Sequence, residues 1–380
     1  MAQKLYFVAG EHSGDTRGAE LMEAIRAVRP DWQFCGLGGP KMRNLAGSSV
    51  VDWVEEAAVV GFWEVLKRYP WFKGRFDATH REIENLHPDA VIFVDYPGFN
   101  LRLARSLHEG AVSARLINYI SPQVWAWKKD RIQGMAEWLD LMLCLFPFEK
   151  EIFESAGLPT ICMGHPMVDQ LEAGRIEARR EENLVGLFPG SRKNEISRIF
   201  PTMVEVVAQL HEKFPSWRFE ASASQLMEDQ MRSILDAHPA KQLPFAIVQG
   251  RSHELMQRAW SGVVTSGTAT LEASYYGLPY CLVYKVAWLT YLVGRAVVDI
   301  EHLGLANILA GREIVHEFIQ HEANVANISS FLESVMTDKL RWRELERNLL
   351  DASARLGGGG AAKVAARAIV DLLEERSDDV

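Results

Sequence analysis

The feature that most limits the fold is a rhythm. Short apolar runs alternate with amphipathic segments, and the whole alternation occurs twice. In the first series strand-like runs fall at 5–9, 34–37, 90–94, 115–120 and 139–145. Helical spacing covers 16–28 and most of 62–86, where Pro70 predicts a break. In the second series the strand-like runs are 184–188, 218–221, 245–248, 262–265 and 280–283, with helical patterns at 197–214, 268–276 and 325–335. Near-continuous apolar strands must be covered on both faces, so each series predicts an α/β unit with a parallel sheet. The polar stretch 171–183 between the series reads as a linker. The expected division is 1–170, 184–340 and a C-terminal helical piece, 341–380. In that last piece the four glycines 357–360 read as a flexible joint between helices at 340–356 and 361–375.

Composition excludes several classes of function. With 41 Lys+Arg against 50 Asp+Glu the net charge is −9, which argues against general nucleic-acid binding. The longest apolar runs, such as 141–146, fall well short of the roughly 20 residues a membrane span needs. The run 5–10 is too brief for a secretion signal and is followed at once by Glu11. The four cysteines show no CxxC spacing. They read as thiols in a reducing cytoplasm, and no zinc site is expected.

Four loops carry chemistry because each follows a strand, the edge where α/β sheets bind ligands. The first is Ala9-Gly10-Glu11-His12-Ser13-Gly14-Asp15. Gly10 and Gly14 permit close backbone approach, and Ser13 or Asp15 is suited to cap the next helix. In the second, Asp95 ends an apolar run, as either a turn residue or a general base for a hydroxyl nucleophile. The third, Ser121 to Trp127, sets Trp125 and Trp127 beside Lys128, Lys129 and Arg131. Those cations suggest a surface that meets an anion or a lipid headgroup. The fourth is a pair: Phe188-Pro189-Gly190-Ser191-Arg192 and Thr265-Ser266-Gly267-Thr268-Ala269-Thr270-Leu271-Glu272. Hydroxyls and N–H groups at a helix start, with Arg192 beside them, suit a diphosphate. Glu272, one turn in, suits ribose hydroxyls. His165, after a short strand-like run, reads as a structural histidine. There is no Walker lysine and no GxSxG elbow.

Residues 59–76 gather Phe62, Trp63, Leu66, Tyr69, Trp71 and Phe72 with Lys67, Arg68, Lys73 and Arg75 against a single Glu64. Aromatics beside cations suit either an anionic membrane surface or a core helix with a basic solvated face.

These motifs, in this order, resemble the lipid-A-disaccharide synthase family of inverting glycosyltransferases. The resemblance rests on AGEHSGD (9–15), GLGGPKM (36–42), VVGFWEVL (59–66), VDYPGFN (94–100), SPQVWAWKKDR (121–131), FPFEK (146–150), GHPMVD (164–169), FPGSRKNEI (188–196), SGTATLEA (266–273) and NILAGREIV (307–315). One departure is Gly98, where some relatives carry a second aspartate.

The resemblance implies two facing Rossmann-like domains of the GT-B architecture with the active site in the cleft between them. It implies transfer of a sugar from UDP-2,3-diacylglucosamine to 2,3-diacylglucosamine 1-phosphate (lipid X), giving a β-1,6-linked disaccharide 1-phosphate and UDP, without a metal cofactor. Asp95 would then be the base, and Ser191, Arg192, Ser266, Gly267 and Thr268 would hold the diphosphate. Glu272 and Asn307 would line the nucleotide site. The loop residues Gly10, Glu11, Ser13, Gly14, Asp15, Ser121, Trp125 and His165 would line the acceptor side. It further implies work at the cytoplasmic face of the Gram-negative inner membrane, with the aromatic stretch as anchor. In relatives the C-terminal helices exchange in a homodimer, and the glycine run fits such a hinge. A soluble UDP-N-acetylglucosamine 2-epimerase and a non-catalytic nucleotide-sugar-binding module are the rival readings.

Overall fold

The computed structural model describes residues 2–57, 68–127, 129–177, 179–288, 291 and 301–378. The chain forms two compact units, Met1–Pro166 with Gly357–Val380, and Met167–Leu356.

In the first unit the described strands are β1 (Lys4–Ala9), β2 (Gln33–Gly38), β3 (Val50–Asp52), β4 (Ala90–Val94), β5 (Arg115–Tyr119), β6 (Leu141–Cys144) and β7 (Thr160–Cys162). They pair in parallel in the order β3-β2-β1-β4-β5-β6-β7. Chain order reverses direction between β1 and β4. Both strands are buried along almost their whole length, as expected where helices cover both faces. One covering helix is Ala361–Asp378, which packs on His12–Val28 and puts Ala365, Ile369 and Val370 into this unit's core. The glycines before it serve conformation: Gly357, Gly359 and Gly360 all take positive φ as the chain returns to this unit.

The second unit repeats the plan with β8 (Glu181–Phe188), β9 (Arg218–Ala223), β10 (Phe245–Gln249), β11 (Ala259–Thr265), β12 (Tyr280–Tyr284) and β13 (Glu317–Ile319). Their order is β10-β9-β8-β11-β12-β13, again parallel, with the reversal between β8 and β11.

The polar stretch is folded onto this unit and is not a linker. It begins with the helix Met167–Ala173. Arg180 then donates to the carbonyls of Met256 (2.9 Å), Ala259 (2.8 Å) and Tyr276, and pairs with Glu346 at 3.7 Å. Burial lowers its pKa to about 10. Charged residues are abundant here because they pair, as Glu181 does with Arg218 and Arg258. The helix Lys339–Ser353 also belongs to this unit, where Trp342 stacks on Trp260 at 4.2 Å.

Candidate active site

In a doubly wound sheet the ligand crevice opens at the carboxyl ends of the two strands flanking the reversal. In the first unit those are β1 and β4. Asp95 leaves β4 with φ 48° and Tyr96 follows with φ 51°. A side-chain-bearing residue in this region costs on the order of 1–3 kcal/mol and persists only where its surroundings hold it. Here the fully buried Asn100 does so: its Nδ2 donates to the Asp95 carbonyl (2.7 Å) and the Val8 carbonyl (3.1 Å). The Tyr96 hydroxyl donates to the Ala57 carbonyl at 3.1 Å. The Tyr96 ring lies over Gly10, where a Cβ would meet it at 2.3 Å, so this loop requires glycine.

Burial raises the Asp95 carboxyl pKa above the usual range, partly offset by the Tyr96 N–H. Glu11, on the loop after β1, is also raised, first by burial and then by the charge of Asp95. The two carboxylates therefore interact across two loops. This pairing was not visible in sequence, where Gly98 only marked the lack of a pair inside one loop. A carboxylate whose pKa is shifted toward the working pH is the better general base.

The rest of the first loop is structural. The helix begins at His12, so Ser13, exposed, and Asp15, buried, lie inside it and cap nothing there. Instead Asp15 accepts from the N–H groups of Gly39 (2.9 Å), Lys41 (3.0 Å) and Met42 (3.0 Å), at the start of helix Pro40–Ala46. It thereby joins the AGEHSGD and GLGGPKM segments. Gly14 is buried against the ends of β1 and β4.

The third loop also turns inward. Trp125 is buried rather than presented to an anion, and Ser121 is buried with it. Both donate to one carboxylate, Glu149: Ser121 Oγ at 2.6 Å and Trp125 Nε1 at 3.0 Å. The Leu145 and Phe146 N–H groups donate to it at 3.1 Å each. Burial still raises the Glu149 pKa despite these donors. The role of Glu149 is legible only as the capping residue of FPFEK. Ile120, just before Ser121, takes φ 75°, a conformation β-branched residues rarely adopt. The Trp127 side chain and Lys128 lie outside the described residues. His165 packs on the Phe146 ring at 5.7 Å, and burial with the nearby Arg17 lowers its pKa to about 4. It is a neutral structural histidine at pH 7.

In the second unit the strands flanking the reversal end in a cavity of about 590 Å³. Ser191, Arg192, Ser266, Gly267, Thr268 and Glu272 all line it. Gly190 turns the first loop with φ 101°, and a Cβ there would sit 2.5 Å from Glu195. Gly267 turns the second with φ 144° and opens helix Thr268–Tyr275. The first N–H groups of a helix have no partner within it, which makes a phosphate seat. The Ser266 N–H is not part of that seat, because it donates to the Val283 carbonyl at 3.1 Å. The hydroxyl of Thr265, buried at the cavity wall, has no hydrogen-bond partner.

Each cation at this cavity faces its own carboxylate. Arg192, largely exposed, pairs with Glu195 at 2.8 Å; Arg251 pairs with Glu254; His253 lies 3.5 Å from Glu272. Donating a hydrogen bond to the Glu272 carboxylate raises the His253 pKa. The sequence reading missed His253 and Arg251, along with Ser222 near the end of β9 and Ser224 just after it. The Gly250-Arg251-Ser252 turn after a strand was the available signal.

Asn307 is a correction. It is fully buried, outside the cavity lining, and all its polar atoms are used. Its Nδ2 donates to Val315 O and Glu317 Oε1, and its Oδ1 accepts from the Ile314 and Val315 N–H groups. It therefore holds the 307–317 loop in shape.

Of the aromatic stretch, Phe62, Trp63 and Leu66 lie outside the described residues. Tyr69 is exposed, but Trp71 and Phe72 pack on the core from helix Tyr69–Leu86, which Pro70 starts rather than breaks. Trp71 stacks on Trp53, and Arg68 and Arg75 lie 4.9 and 5.9 Å from its ring. Among the described residues no helix is long and apolar enough to cross a membrane.

The family model for lipid-A-disaccharide synthetase matches residues 5–363. The chain belongs to this family. The lipid-A-disaccharide synthase of Trichlorobacter lovleyi is 36% identical over 382 residues, covering 98% of both chains. Two solved structures share the fold. A putative UDP-N-acetylglucosamine 2-epimerase from Listeria monocytogenes has TM-score 0.65 at 13% identity, covering 99% of this chain and 98% of that one. A glycosyltransferase from Siraitia grosvenorii in complex with UDP has TM-score 0.57 at 12% identity, covering 98% and 99%. At such identities the likeness is one of fold alone, so the epimerase reading loses its support to the lipid-A-disaccharide synthase family. The chain is accordingly an α/β glycosyltransferase of lipid A biosynthesis.

Proposed function

We propose that this enzyme transfers 2,3-diacylglucosamine from its UDP conjugate to the 6-hydroxyl of 2,3-diacylglucosamine 1-phosphate, with inversion. The observation that carries this reading is Asp95, a raised carboxylate held in a left-handed turn at the β4 edge. The acceptor oxygen forms a bond to the anomeric carbon as the bond from that carbon to the diphosphate breaks. Asp95 takes the hydroxyl proton. UDP leaves with the electron pair. Arg192, the Thr268 helix terminus and the Ser191 and Ser266 hydroxyls stabilise the growing negative charge. Glu272 accepts from the ribose, with His253 orienting it.

The reading draws on no metal ion. Turnover is expected to survive EDTA; activity lost to EDTA and restored by Mg²⁺ would place a metal at the diphosphate. The enzyme is expected to work at an anionic membrane face, with the exposed Tyr69 of the aromatic stretch 59–76 among the residues that meet lipid, and to form a homodimer through its C-terminal helices. The direct test is incubation of purified protein with UDP-diacylglucosamine and lipid X, with mass spectrometry of the lipid products. Disaccharide 1-phosphate is expected, and UDP-sugar epimerised without acceptor would contradict the reading.

A further inference from the structure

A second cavity, of about 510 Å³, opens beside the Asp95 turn in the first unit. Its walls are largely aromatic: Phe72 and Phe76 from the helix Tyr69–Leu86, Tyr96 from the turn after β4, and Phe99 from the helix Pro97–Glu109 that follows. The rings pack against one another, with Phe76–Phe99 at 5.7 Å and Tyr96–Phe99 at 6.3 Å, so the wall is built rather than incidental. Lys73, Arg102 and Asp77 also line it, all exposed, which leaves the rim net positive, and neither cation forms an ion pair among the described residues. In the second unit's cavity, by contrast, Arg192 and Arg251 are each paired with a carboxylate.

We propose that this cavity holds an acyl chain of the anionic lipid acceptor, with Lys73 and Arg102 at its mouth meeting the lipid's phosphate. The proposal rests on the transfer reading above for the identity of the lipid. Three observations favour an acyl chain over other occupants. An apolar lining with cations at the rim matches a ligand that is hydrocarbon at one end and anionic at the other. Tyr96, one wall, is the residue next to Asp95, so a chain seated there brings its headgroup to the base. The space is also open at Gly98, where an added Cβ would meet nothing within 4 Å. That opening makes chain length the property the cavity measures, because each methylene that enters improves binding about fourfold.

Gly98 also provides the test. It lies in the first turn of helix Pro97–Glu109 and does not need a positive φ, so Gly98→Leu fills the cavity without straining the backbone. The experiment titrates n-alkyl phosphates of increasing length into wild-type protein and the variant by calorimetry, below their micelle concentrations. Wild-type affinity is expected to rise about fourfold per methylene and then level off when the cavity is full. In Gly98→Leu the plateau should come about four methylenes earlier, the size of the added side chain. Arg102→Gln should weaken all lengths by about tenfold without moving the plateau. Identical length profiles in wild type and Gly98→Leu, or no length dependence at all, would overturn the proposal. Because alkyl phosphate binding needs no turnover, a normal length profile in a protein that forms no disaccharide would refute the transfer reading and leave the cavity's assignment standing.

Discussion

The two units share one strand plan but equip the edge at the reversal differently. At the ends of β4 and β5 the left-handed positions are Asp95, Tyr96 and Ile120; at the ends of β8, β10 and β11 they are Gly190, Gly250 and Gly267. Glycine takes such angles at little cost, so the second unit presents backbone N–H groups and hydroxyls without strain. The first unit tolerates strain to keep side chains where the chain turns, and one of them is the raised carboxylate. The edges also differ in charge. In the second unit the cations of the cavity are matched to carboxylates, whereas in the first two carboxylates, Glu11 and Asp95, interact with each other. On the proposed reading, one edge holds a ligand by its phosphates and the other removes a proton.

Breaking the first edge should stop chemistry and leave donor binding intact. Asp95→Asn is expected to lower kcat by about 10²–10⁴-fold, the range for a lost general base, while the KM for the UDP-sugar stays within a few-fold. A kcat within tenfold of wild type would remove Asp95 as base.

A second carboxylate of the same unit sharpens the contrast, because it is structural. Glu149→Ala strands four buried donors and should destabilise the fold by about 3 kcal/mol, read as a lower midpoint in urea. An unchanged midpoint would mean the Ser121–Trp125 loop is held by something else.

Asp95→Asn should have the opposite effect on stability. A carboxyl whose pKa is raised on folding disfavours the native state once it ionises, so its cost is absent below the unfolded pKa and complete above the folded one. Removing it should raise Tm at pH 7 by about 1–4 °C, and the gain should vanish as pH falls below about 4. A lower Tm at pH 7 would show that the turn needs the charge.

Much of this plan was legible in the chain, for identifiable reasons. Strands buried on both faces leave apolar runs, so β1, β4, β8 and β11 stood out. The strands β3, β7 and β13 have three residues each, too few for a run to register. Loops that follow strands were found for the same reason the strands were. What the sequence concealed is which polar side chains were already occupied. Asp15, Ser121, Trp125 and Asn307 sit in motif loops, yet each spends its hydrogen bonds on backbone or on a buried partner from another part of its unit. The stretch 171–183 misled in the same way, since a side chain such as Arg180, bonded to carbonyls over 70 residues away, looks like part of a solvated linker. The Glu11–Asp95 interaction and the His253–Glu272 pair likewise depend on loops brought together by the sheet.

The division of labour between the edges is tested most directly by calorimetric titration of UDP into wild type, Asp95→Asn and Arg192→Ala. Asp95→Asn should bind UDP within about twofold of wild type. Arg192→Ala should bind about 10–100-fold more weakly, the worth of a charge-assisted hydrogen bond. UDP binding lost in Asp95→Asn, or kept in Arg192→Ala, would contradict the account.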